Sequence, residues 1–100
     1  MADIKLTAQD ATKKIRDIVR NGYVVILPHC REQMARRGYI DVDIDSLLRH
    51  GHIKDDPEFN NEHQQWRYRV EGVIEGDQTV LIVAFPSDVK LFCITIFSII

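Results

Sequence analysis

The sequence predicts an α+β fold, with N-terminal helices packed on a curled antiparallel β-sheet, in a single domain over residues 1–100. Two observations carry this expectation. Up to Gly51, apolar residues recur at helical spacing, and Asn21-Gly22, Gly38 and Gly51 stop the runs. After Gly51 the period changes to strand alternation, and turn residues divide the remainder into β-favouring runs. A chain of 100 residues has room for one core and not for two.

In chain order, Thr7 is placed to cap a first helix, with Asp10 three residues on completing a variant of the capping pattern. Ala11, Ile15, Ile18 and Val19 form its apolar stripe. Residues 23–27 are a short β-branched run closed by Pro28, a strand or extended segment. Pro28 leads into a helix over 29–37 that keeps Met34 on its core side. Asp41 or Asp43 caps a third helix, in which Val42, Ile44, Leu47 and Leu48 face inward. Residues 52–55 read as a brief strand and 56–64 as a polar loop containing Pro57 and Asn60-Asn61. Trp66, Tyr68 and Val70 share one face of the next strand and Arg67, Arg69 and Glu71 the other, because strand side chains alternate. Glu75-Gly76-Asp77 turns the chain into the apolar run 80–85, the expected central strand. Pro86-Ser87-Asp88 turns it again into 91–97, which completes an antiparallel meander.

Apolar residues make up 45% of the chain and charged residues 28%, the composition of a folded protein rather than a disordered one. The net charge of −2 argues against a generally basic nucleic-acid coat but leaves room for a local patch. Between Asp10 and Arg37 seven Lys/Arg face three acids; between Asp41 and Glu62 seven acids face Arg49 and Lys54. That asymmetry fits a polyanion-binding face, and fits two ordinary solvated faces as well. Met1-Ala2-Asp3-Ile4-Lys5 lacks the apolar run of a signal peptide, and two unpaired cysteines fit a cytoplasmic protein. The apolar stretch 80–100 is broken by Pro86, Asp88 and Lys90, so a hairpin and not a membrane anchor is expected.

The segment His29-Cys30-Arg31-Glu32-Gln33-Met34-Ala35-Arg36-Arg37-Gly38 carries the most chemistry. A histidine near a helix N-terminus is held toward its neutral, proton-accepting form, and arginine forks recognise phosphate. The same residues fit a capping histidine and two arginines that complement their own helix end. Arg67 and Arg69 share a strand face where phosphate contact is open to them, or serve as solvent-exposed strand arginines. The four histidines and Cys30 lack the spacing of metal ligands, so no metal or other cofactor is expected. No Gly-rich phosphate loop or nucleophile motif is present.

With these residues laid out, the chain resembles a family of small bacterial proteins related to the RelE/MqsR/BrnT-like toxins of toxin–antitoxin systems. The likeness rests on His29…Arg31-Glu32-Gln33-Met34…Arg37-Gly38-Tyr39-Ile40, an acidic start at 41–45, and Leu47…Gly51…Ile53. It continues through Trp66-Arg67-Tyr68-Arg69-Val70…Gly72 and the run 80–85. It implies a RelE/MqsR-like sheet and a metal-independent mRNA endoribonuclease, acting on free or ribosome-bound mRNA and silenced by a cognate antitoxin. Under that likeness His29, Arg37, Arg67 and Tyr68 match recurrent polar positions. His29, Arg67 and Tyr68 are the catalytic candidates and Arg37 an RNA-phosphate ligand, joined by Arg36 and Arg69 on the reading of their own helix and strand. A non-catalytic protein-binding module on the same fold is the alternative. It draws on the acidic stretch 41–62 and the apolar tail 94–100.

Overall fold

The computed structural model describes residues 4–99. Met1-Ala2-Asp3, read above for a leader, and Ile100 at the end of the apolar tail lie outside that range.

Three helices come first: α1 (Ala8–Asn21), α2 (Pro28–Arg37) and α3 (Asp41–His50), with the strand β1 (Tyr23–Ile26) between α1 and α2. Four strands follow: β2 (Glu58–Asn60), β3 (Gln65–Ile74), β4 (Asp77–Ser87) and β5 (Lys90–Ser98). Thr7 caps α1 as its side chain suggests, accepting the Asp10 amide at 3.1 Å. Pro28 opens α2 at a position where its missing N–H costs nothing, and Gly38 closes it in the left-handed region at φ 73°. At α3 the cap differs from expectation by a residue. The helix already begins at Asp41, and Asp43 reaches back to accept the Ile40 amide at 2.9 Å.

The strands form one open five-stranded sheet in the order β1-β5-β4-β3-β2. β3, β4 and β5 are the expected antiparallel meander, with β4 at its centre. The sheet as a whole is mixed and not purely antiparallel, because β1 lies parallel to β5, Tyr23 opposite Lys90 and Ile26 opposite Cys93. The long excursion between β1 and β5 makes this possible, since a parallel pair needs a crossover that no hairpin can supply. A second correction concerns the segment after α3. His52 forms only an isolated bridge to Glu71, whereas 58–60, read as loop, pairs with β3. Phe59 lies opposite Trp66 and meets its ring edge-on at 5.1 Å, an aromatic pair that rewards pairing in an otherwise polar stretch.

All three helices turn their apolar stripes to the same face of the sheet. Ala11, Ile15 and Ile18 of α1, Cys30 and Met34 of α2, and Ile44, Leu47 and Leu48 of α3 are buried there, while Val42, expected inward with them, is 69% exposed. They meet Tyr68, Val70 and Ile74 of β3 and Leu81, Val83 and Phe85 of β4 in one cluster. Gly51 ends α3 where a Cβ would lie 2.5 Å from the Leu47 carbonyl and 2.6 Å from a Val70 methyl. Only a residue without a side chain lets α3 hand the chain to the edge of β3 this closely. Among the described residues no helix is long and apolar enough to cross a membrane.

Candidate functional site

Alternation along β3 sends Tyr68 and Val70 into the core and leaves Arg67 and Arg69 on the face that no helix covers. There the two arginines line a pocket of about 250 Å³ with Ile82 of β4 and Thr95 of β5. Its outer wall is Asp56, Glu58, Phe59 and Asn60, so the short strand β2 and the segment before it build half the site.

The two arginines differ in their surroundings. Arg69 is caged: its Nε lies 3.7 Å from Asp55 and 3.9 Å from Glu71, and its guanidinium stands 5.8 Å from the Phe97 ring centre. Glu71, 7% exposed, is also within 3.5 Å of Lys54. Arg67 has neutral partners. Its Nε donates to Gln65 Oε1 at 3.1 Å, and its terminal nitrogen lies 3.3 Å from His63 Nδ1. Among the described residues no carboxylate comes within ion-pair distance of it, which leaves Arg67 the guanidinium open to an incoming anion.

His63 is the residue that the sequence reading passed over. It sits in the turn between β2 and β3, its backbone amide held by Asn60 Oδ1 at 2.8 Å and its Nδ1 3.1 Å from the same oxygen. Nδ1 either accepts from Arg67 or donates to Asn60 Oδ1, not both; the second arrangement leaves Nε2 with the lone pair, the tautomer that accepts a proton. The signal was available in Asn60-Asn61-Glu62-His63, since Asn at the first position of a turn bonds the backbone further on. Reading that stretch as a hairpin turn would have brought the imidazole to Arg67.

The other sequence candidates lie elsewhere. Tyr68 is 0% exposed; its hydroxyl accepts the Leu6 amide at 2.9 Å, and its ring packs 5.4 Å from Phe85. A phenol closed off in the core cannot stack on or orient RNA, so its catalytic assignment is corrected to a structural one. His29 is exposed on α2, in the helical layer on the opposite side of the sheet from the pocket. Arg36 and Arg37 are exposed at the end of the same helix, and Arg37 donates to Ser98 Oγ at 2.7 Å. Arg31 of α2 grips Asp41 through both carboxylate oxygens, which holds that carboxyl below its usual range and ties α2 to the start of α3. The two thiols are buried and neutral. Desolvation pushes Cys30 up to about 11 and Cys93 higher still. Among the described residues no group of three or more His, Cys, Asp or Glu side chains is arranged to hold a metal ion.

Residues 26–98, from the end of β1 through β5, match a family model described as Domain of unknown function (DUF4258). No curated protein and no solved structure matches the chain.

Proposed function

The chain belongs to the DUF4258 family, and we propose that it is a metal-independent endoribonuclease, the cytoplasmic toxin of a toxin–antitoxin pair with a RelE/MqsR-like fold. One observation carries the chemistry: an imidazole stands 3.3 Å from a guanidinium that lines a pocket on the uncovered sheet face and has no carboxylate partner among the described residues. In this reading Arg67 binds the scissile phosphate and stabilises the charge that builds on it. His63 Nε2 takes the proton of the 2′-hydroxyl. The 2′-oxygen then bonds to phosphorus, the bond to the 5′-oxygen breaks, and that oxygen takes a proton from water, to which His63 in turn returns its own. A 2′,3′-cyclic phosphate and a 5′-hydroxyl end result. Arg69, caged by Asp55 and Glu71, braces the pocket wall, while His29 remains the sequence's own candidate for the base.

The test is incubation of purified protein with a long mRNA, with and without ribosomes, in the presence of a chelator, followed by mapping of the cut sites. Discrete cuts with cyclic-phosphate ends are expected from the wild type. Arg67→Ala and His63→Ala should each lower the cutting rate by about a hundred-fold or more while leaving the circular dichroism unchanged. Loss of cutting in His29→Ala with none in His63→Ala would return the base to α2. No cuts by folded wild type would defeat the nuclease reading.

A non-catalytic reading draws on a different surface. β1 lies at the free edge of the sheet with Tyr23 66% exposed, beside a hollow of about 300 Å³ that includes Val24, Ile26, Ile44 and Leu48. A partner protein, the antitoxin under the first reading, would add a strand there. Stable complex formation that Val24→Glu abolishes, from a protein that cuts nothing, would favour it.

A further inference from the structure

A second hollow lies away from the Arg67 pocket, between the outward side of α1 and residues 51–53. It measures about 710 Å³, and Lys13, Arg16, Arg20 and His52 line it with a single acid, Asp17. Lys13, Arg16 and Arg20 recur at helical spacing, so they form one stripe along about two turns of α1. Their partners set them apart from the neighbouring lysine. Lys14 is spent on Asp88 at 3.1 Å, with the Phe85 ring beneath it. Among the described residues Lys13, Arg16 and Arg20 have no carboxylate within ion-pair distance. Arg16 is fixed in the cleft by the bond from its terminal nitrogen to the Gly51 carbonyl at 3.2 Å, and its Nε is buried without a hydrogen-bond partner.

A chain of net charge −2 that gathers this many unpaired cations along one cleft focuses positive potential there. We infer that the α1 cleft is a track for the phosphate backbone of single-stranded RNA, an inference that rests on the ribonuclease reading of the Arg67 pocket. The connection between the two is structural. Residues 52–58 run along the edge of β3 that faces away from β4, His52 opposite Glu71 and Glu58 opposite Arg67. That one segment therefore walls the cleft with His52 and Ile53 on the helical side and the pocket with Asp56 and Glu58 on the other. Asp55 in that segment is taken up by Arg69 at 3.7 Å, and the cleft supplies the basic surface for the flanking RNA. Exposed Lys13 and Arg20 supply contacts from the open side of the cleft, and Arg16 one fixed by its bond to Gly51.

The test measures binding apart from cleavage, using a fluorescent 2′-O-methyl RNA oligonucleotide that cannot be cut, over a range of salt concentrations. Lys13→Glu/Arg20→Glu is expected to weaken binding roughly ten-fold or more near 0.1 M salt and to flatten the log–log salt slope by about 1.4, two phosphate contacts' worth on a single strand. Lys90→Glu/Arg49→Glu, with the same change of net charge outside both cavities, should keep most of the affinity. Both cleft residues are exposed on α1, so an unchanged melting profile is expected from that variant. Equal weakening by the two double variants would mean a general charge effect and overturn the cleft. Unchanged binding in the cleft variant would overturn it too, while the mRNA cleavage assay would still stand or fall on Arg67. Wild type that binds poly-glutamate but not the RNA would assign the cleft to an acidic protein partner and overturn the inference.

Discussion

Arg67 and Tyr68 are neighbours on β3 and end on opposite sides of the sheet. Strand geometry dictates that much, and the sequence shows it in the alternation of Trp66, Tyr68 and Val70 with Arg67, Arg69 and Glu71. Which face meets the helices is also legible, since the apolar side chains must cover the core. What the alternation does not show is what each residue does once placed. Tyr68 uses its hydroxyl to anchor Leu6, a contact across 62 positions of sequence, and Arg69 is taken up by Asp55 and Glu71. Tyr68→Phe removes the acceptor for a partly buried amide. It is expected to cost about 0.5–1.5 kcal/mol in urea unfolding and to leave RNA cleavage at the wild-type rate. A large loss of cleavage with little loss of stability would restore the tyrosine to the site.

At the level of elements, α1, α2 and the β3–β5 meander follow from capping residues, helical spacing and turns, because each rests on interactions a few residues apart. The two elements that departed from expectation, the parallel β1 and the short β2, depend on partners far along the chain. β1 pairs with β5 across the whole helical layer, and β2 owes its pairing to Phe59 meeting Trp66. Gly51 joins the two kinds of element. It ends α3 as its position suggests, but the reason it must be glycine is the nearness of Val70 and Leu47. Gly51→Ala forces those neighbours apart and is expected to lower stability by about 1–3 kcal/mol. Denaturant unfolding of the single variant checks this, and a change under 0.5 kcal/mol would show that the contact relaxes freely.

The whole molecule is one helical layer on one side of an open sheet, and its buried thiols lie where α2 meets β5. Both thiols are neutral and have values raised by desolvation, Cys30 to about 11 and Cys93 beyond it. A raised folded value means that the native state holds the proton more tightly than the unfolded chain. The resulting stability is fully present below the unfolded thiol value of about 8.5 and is lost as pH rises toward the folded values. The melting temperature should accordingly fall between about pH 8.5 and 11, and Cys30→Ser/Cys93→Ala should flatten that part of the profile. In the native protein at pH 8 neither thiol should react with a disulfide reagent until unfolding exposes it.

The sequence by itself determined the α+β class, the ends of α1 and α2, the face on which each β3 side chain lies, and the presence of a basic segment before an acidic one. These follow from local periodicity and from caps and turns. Tertiary structure alone decided that β1 runs parallel to β5, that Arg67 and not Arg69 is open to an anion, and that His63 rather than His29 stands beside it. It also turned the scattered cations of α1 into one cleft by setting residues 51–53 against them. Each of these depends on which distant segments come within hydrogen-bond or ion-pair reach. Only packing sets those distances, and no local pattern encodes them.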